Sequence, residues 1–134
     1  MRSWILAYLG TATAMLVLDG AWLSIAAKRL YRPLLGDMLA DGFRLAPAAF
    51  FYFLYVTGIV VLAVAPGLAA GKWTVAFTRG LVLGLIAYGT YDLTNQATLR
   101  QWSGLVTVAD MCWGTILTGA AATAGYYAAR WAAA

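Results

Sequence analysis

Three aspartates, Asp19, Asp92 and Asp110, lie inside hydrophobic stretches of the chain. An ionised carboxylate at mid-membrane costs about 2.5–3.5 kcal/mol on an insertion scale, so three left unpaired would cost on the order of 10 kcal/mol. Such residues persist where they are partnered, protonated or useful. Their depths agree: Asp19 precedes Lys28, Asp92 precedes Arg100, and Asp110 follows Ser103 by similar numbers of residues. At 1.5 Å per residue, all three fall roughly 10–13 Å below one membrane surface. Carboxylates gathered in one layer repel one another unless a proton, a cation or hydrogen-bond donors intervene. Such a layer can hold a cation, exchange a proton, bind a lipid headgroup or small polar molecule, or lock helix register. For the last role, Arg29, Arg32 and Arg100 are the available cationic partners.

The neighbours of the aspartates are also polar. Tyr88, Asp92, Asn95 and Gln96 stand at helical spacing and form one face, with Tyr91 and Thr94 beside it. The segment Tyr91–Thr98 is expected to face the bundle interior, a water-filled cavity or another subunit. Asp92 centres this face and is expected to be the most function-sensitive residue. A second pattern occurs twice. Val17–Ile25 and Val108–Ile116 share Val, Asp, Trp and Ile in register, and both contain Asp-x-x-Trp. The two segments run in opposite directions through the membrane, which fits either an inverted duplication or chance. Trp22 and Trp113 lie too deep for an interfacial belt. Each indole either bonds a carboxylate and fills core space or walls a bound molecule. The candidate ligand-binding residues are therefore Asp19, Trp22, Tyr88, Asp92, Asn95, Gln96, Asp110 and Trp113. Mg²⁺ or Ca²⁺ is chemically allowed by such oxygen donors, but no metal-motif spacing supports it. No metal, cofactor or catalytic residue is assigned.

The elements that position these residues follow from composition. The chain has 134 residues, 63% of them hydrophobic, and a mean hydropathy of +0.78. That is too apolar for a soluble domain of this size. There is no His, which removes the usual haem and zinc nitrogen ligand and the commonest catalytic base. All five acids are Asp, and the single cysteine, Cys112, excludes an internal disulfide. The net charge of +4 comes from basic residues near predicted helix ends, a membrane-anchoring pattern rather than a nucleic-acid face.

Four apolar stretches read as transmembrane helices over about 4–27, 46–70, 74–98 and 104–129, each near the roughly 20 residues that cross a bilayer. The fold class is thus all-α. It is a four-helix transmembrane bundle in one integral membrane domain over 1–134, with a short interfacial segment between the first two helices. The first stretch begins like a signal peptide, but its length and Asp19 mark it as a retained helix. Both termini then share one side with Trp4, Trp73 and Trp131, while Trp102 lies on the other, as in an aromatic belt. The connection 28–45 carries Lys28, Arg29 and Arg32, with a short interfacial helix expected between Pro33 and Phe43. This basic cluster favours a cytoplasmic connection. Gly80 and Gly84 form a G-x-x-x-G, read as close packing inside the bundle ahead of a dimer face. Arg79 is expected to snorkel to lipid phosphate.

The residues Asp19-x-x-Trp22-Leu23, Phe51-Tyr52 with Tyr55, Tyr88-x-x-Tyr91-Asp92-Leu93-Thr94-Asn95 and Asp110-x-x-Trp113-Gly114 carry a family resemblance. The chain resembles a bacterial family of small predicted membrane proteins, domain of unknown function 2177. That resemblance covers nearly the whole chain and implies a four-helix protein of the inner membrane. Three functions fit the residues. The first is an integral inner-membrane protein that binds or moves a small cation, proton, lipid headgroup or small polar molecule, with a homo-oligomer required for transport. The second is an accessory subunit of a larger membrane complex. The third is a small lipid-modifying enzyme with one Asp as base and another as acid. The absence of His, Glu and a nucleophile motif weighs against the enzyme.

Overall fold

The computed structural model describes residues 1–42 and 44–133. The described residues form four long helices: α1 (Arg2–Met38), α2 (Leu45–Ala70), α3 (Trp73–Thr98) and α4 (Gly104–Ala133). The described residues contain no strand. By length and composition α1, α2 and most of α4 are apolar enough to cross a membrane. Helix α3 is equally long, but its second half carries Asp92, Thr94, Asn95 and Gln96, which lowers its hydropathy below the other three.

α1 runs about ten residues further than its apolar pattern suggests. No Gly or Pro interrupts Ala27–Tyr31, and the basic residues there are exposed and solvated without ending the helix. That turn is a π-turn, in which the Arg32 N–H bonds the Ala27 carbonyl five residues back. A second π-turn, Val60–Val64, lies in α2, where the Ala65 N–H bonds Val60. A proline follows both at once, Pro33 and Pro66. Proline has no N–H and its ring clashes with the carbonyl four residues back, so a locally wider turn lets each helix continue. α1 finally turns at Gly36, whose φ is +47°. The segment read as an interfacial helix is therefore mostly the end of α1, and Phe43 lies outside the described residues.

α2 ends in a Schellman arrangement. Gly71 is left-handed, the Lys72 N–H bonds the Gly67 carbonyl at 3.1 Å, and the Gly71 N–H bonds Leu68 at 3.1 Å. This cap satisfies the last carbonyls and turns the chain directly into α3.

α4 is the centre of the bundle and packs along both α1 and α3. The second half of α2 closes the remaining side through its π-turn. The core is built from Met15 and from small and branched residues, among them Ile59, Val64, Leu117, Ala121 and Ala122. Small residues are needed because the backbones nearly touch. A Cβ on Gly80 would sit 2.8 Å from the Thr118 carbonyl oxygen and 2.9 Å from the Gly119 Cα. Gly80 and Gly84 thus face α4 within the bundle, where tight van der Waals packing holds helices together in lipid. The outer faces carry exposed apolar side chains such as Leu16, Phe50, Phe53 and Ile86, which suits a hydrocarbon surround.

Candidate functional site

Asp19 on α1 and Asp110 on α4 stand on either side of a cavity of about 1010 Å³. Asp19 is buried and Asp110 half-buried. Tyrosine and tryptophan side chains, rather than arginines, supply their hydrogen bonds. Tyr52 of α2 donates to Oδ2 of Asp19, and the Trp113 indole N–H donates to its Oδ1 at 3.3 Å. Tyr31 donates to Oδ1 of Asp110 and accepts the Trp22 indole N–H at 2.9 Å. The Trp22 and Trp113 rings stack between the two acids, with centroids 4.8 Å apart and planes 8° from parallel.

This arrangement explains the repeated Asp-x-x-Trp. Each indole serves the aspartate of the opposite helix, Trp113 directly and Trp22 through Tyr31. Asp and Trp three residues apart share a helix face, so antiparallel α1 and α4 can present both pairs to one another. The bonds hold the carboxylates in place without neutralising them, since phenol and indole carry no charge.

Tyr88 of α3 completes the inner wall. Its ring occupies the space that a side chain at Gly114 would fill, and it meets the edge of Tyr55 at 6.4 Å. Tyr55 is fixed in turn by a 2.8 Å bond with the Thr118 hydroxyl. Tyr91 and Trp102 form an edge-to-face pair at 5.7 Å on the same wall, and the Trp102 N–H donates to Thr107 at 2.9 Å. Trp102 is thus half-buried in the cavity wall, beyond the belt role expected for it. At the outer end the cavity is lined by Leu35 and Leu39 and by exposed Arg32, Asp41 and Arg44.

The remaining candidates take other places. Asp92 is 0% exposed and neither carboxylate oxygen has a hydrogen-bond partner. It does not line the cavity. Asn95 is half-buried and Gln96 exposed, and both lie off the cavity wall. Of the segment Tyr91–Thr98, Asp92 is buried and Tyr91 lines the cavity, while Thr94, Gln96 and Thr98 are exposed. The threonines can face outward because each hydroxyl bonds its own helix. Thr90 reaches the Ile86 carbonyl at 2.7 Å, Thr98 reaches Thr94 at 2.7 Å, and Thr94 bonds Thr90.

Sequence reasoning missed Tyr31 and Tyr52 as the partners of the two aspartates. Tyr52 stands in the sequence only among the residues that carry the family resemblance. Tyr31 was hidden because its segment reads as a loop. Among the described residues, no three acidic or thiol side chains gather closely enough to hold a metal ion. The three aspartates therefore divide into two that face the cavity and one buried behind it.

No curated protein and no solved structure matches the chain. A family model described as "Predicted membrane protein (DUF2177)" matches residues 4–127. That span is nearly the whole chain, which belongs to this family of membrane proteins.

Proposed function

We propose that the cavity binds the cationic end of a small polar molecule within the membrane. The observation that carries this reading is the pair of carboxylates on its wall, Asp19 and Asp110, held by neutral donors and surrounded by aromatic rings. Two negative charges that the protein has hydrogen-bonded but not neutralised favour a cation between them. The electron-rich faces of Trp22, Tyr31 and Tyr88 favour an organic cation over a strongly hydrated metal ion, with cation–π attraction of roughly 0.5–2 kcal/mol per contact. Ethanolamine, a cation at neutral pH, is a suitable probe. Added to the protein in mild detergent, it should change the tryptophan fluorescence saturably, because Trp22 and Trp113 sit at the carboxylates. Sodium chloride at equal ionic strength should not. Identical, non-saturating responses to both would remove the reading.

The same reading includes the setting. Helix α3 is the fourth span, and the protein resides in a bacterial inner membrane. The connection 28–45 is cytoplasmic and both termini are periplasmic, on the strength of Lys28, Arg29 and Arg32 directly after the apolar part of α1. A C-terminal alkaline phosphatase fusion should be active and a C-terminal green fluorescent protein fusion dark. The reverse pattern would invert the topology.

A second reading, an accessory subunit of a larger complex, has one observation in its favour. The outer side of α3 presents exposed Thr94 and Gln96 where lipid would otherwise lie. Copurification of a stoichiometric partner in mild detergent would support it.

A further inference from the structure

The cavity is charged at both ends with opposite bias. Its inner wall carries Asp19 and Asp110 among Trp22, Tyr31 and Tyr88. Its outer end carries Arg32 and Arg44, both exposed, with Asp41 between them in sequence. The two arginines belong to the end of α1 and the start of α2, so they reach the cavity from two different elements. Each guanidinium offers a planar fork of donors matched to phosphate or carboxylate. A bare metal cation would use the inner wall and gain nothing from these arginines. A bare phosphate would meet the arginines and be repelled by the acids. A molecule with an ammonium at one end and a phosphate a few bonds away satisfies both.

We propose that the ligand class is a phosphoamine zwitterion, with its ammonium between Asp19 and Asp110 and its phosphate at Arg32 and Arg44. This rests on the cation reading of the inner wall and adds the anionic half. The carboxylates can accept N–H bonds: Asp110 Oδ1 is engaged by Tyr31, and its Oδ2 has no hydrogen bond among the described residues. A primary ammonium, with three N–H donors, suits such acceptors. Leu35, Leu39 and Ala40 line the outer end beside the arginines and offer apolar contact to whatever the phosphate carries. The shared chemistry belongs both to a phospholipid headgroup and to its free, water-soluble counterpart.

The experiment is a set of titrations of the full chain in maltoside detergent, read by tryptophan fluorescence and by calorimetry. The probes are glycerophosphoethanolamine, ethanolamine alone and glycerol phosphate alone. The zwitterion should bind at least tenfold more tightly than either half. In the double variant Arg32→Gln with Arg44→Gln, the ratio of zwitterion to ethanolamine affinity should fall to within about threefold. Ethanolamine binding as tightly as the zwitterion in the parent protein would overturn the inference while leaving the cation reading intact. Glycerol phosphate matching the zwitterion would overturn it as well, in favour of an anion site. Failure of all three probes to bind would remove both readings. The source is then separated in nanodiscs. If phosphatidylethanolamine nanodiscs raise the half-saturation of the soluble zwitterion and phosphatidylglycerol nanodiscs do not, the ligand is the lipid headgroup. Equal half-saturation in both, with tight binding retained, assigns the free compound.

Discussion

Asp110→Asn is expected to weaken ethanolamine binding at least thirtyfold while the protein remains folded. Asn is nearly isosteric, and its amide oxygen can still accept the Tyr31 phenol. What disappears is one of the two negative charges on the cavity wall. Loss of one partner from a desolvated charge pair costs about 2–5 kcal/mol, and the lower bound already corresponds to about thirtyfold. Asp19→Asn should act in the same direction, with a larger effect on stability. Its carboxylate is more deeply buried and accepts from both Tyr52 and Trp113. The check is the fluorescence titration together with the melting temperature of each variant. Unchanged affinity in Asp110→Asn would mean that the cation does not sit at this carboxylate.

The second large effect is expected at Asp92 and has the opposite sign on stability. Its carboxyl is 0% exposed and unbonded. An unsatisfied buried polar group costs about 1–3 kcal/mol even when neutral, and more when charged. Asp92→Val replaces it with an apolar side chain of comparable size and similar helix propensity. The melting temperature in detergent should rise by roughly 5 °C, taking a few degrees per kcal/mol for a chain of this length. A fall in melting temperature would show that the carboxyl has a polar partner that stabilises the bundle. A residue retained against stability indicates a task elsewhere.

Much of this was legible in the sequence, for reasons that differ along the chain. The edges of α3 show in the sequence at Lys72 and Arg100, and no π-turn disturbs its period. The end of α1 does not show, because basic residues and a proline break its apolar run over Lys28–Met38 while the helix continues. Only the proline at 33, read together with a widened turn, explains how it continues. The pairing of Asp19 and Asp110 with Trp22 and Trp113 followed from one spacing, Asp-x-x-Trp, on two antiparallel helices. The crossing of the bonds between helices did not, since periodicity fixes which residues share a face but not which neighbour fills it. Tyr88 and Asp92 show the same limit. They are one turn apart on α3, yet Tyr88 lines the cavity while Asp92 is buried behind it. The polar run after Asp92 is ambiguous for a further reason. Threonine hydroxyls can bond carbonyls of their own helix, so their presence says little about which way a helix faces.

The central claim is that Asp19 and Asp110 hold a cation between them. An experimental structure of the protein purified in mild detergent with saturating ethanolamine tests it most directly. The account predicts density for the ligand within hydrogen-bond distance of both carboxylates, against the faces of Trp22 and Tyr88, with the Tyr31–Asp110 and Tyr52–Asp19 bonds preserved. Density for the ligand elsewhere, or a partner helix filling the cavity in its place, would contradict it.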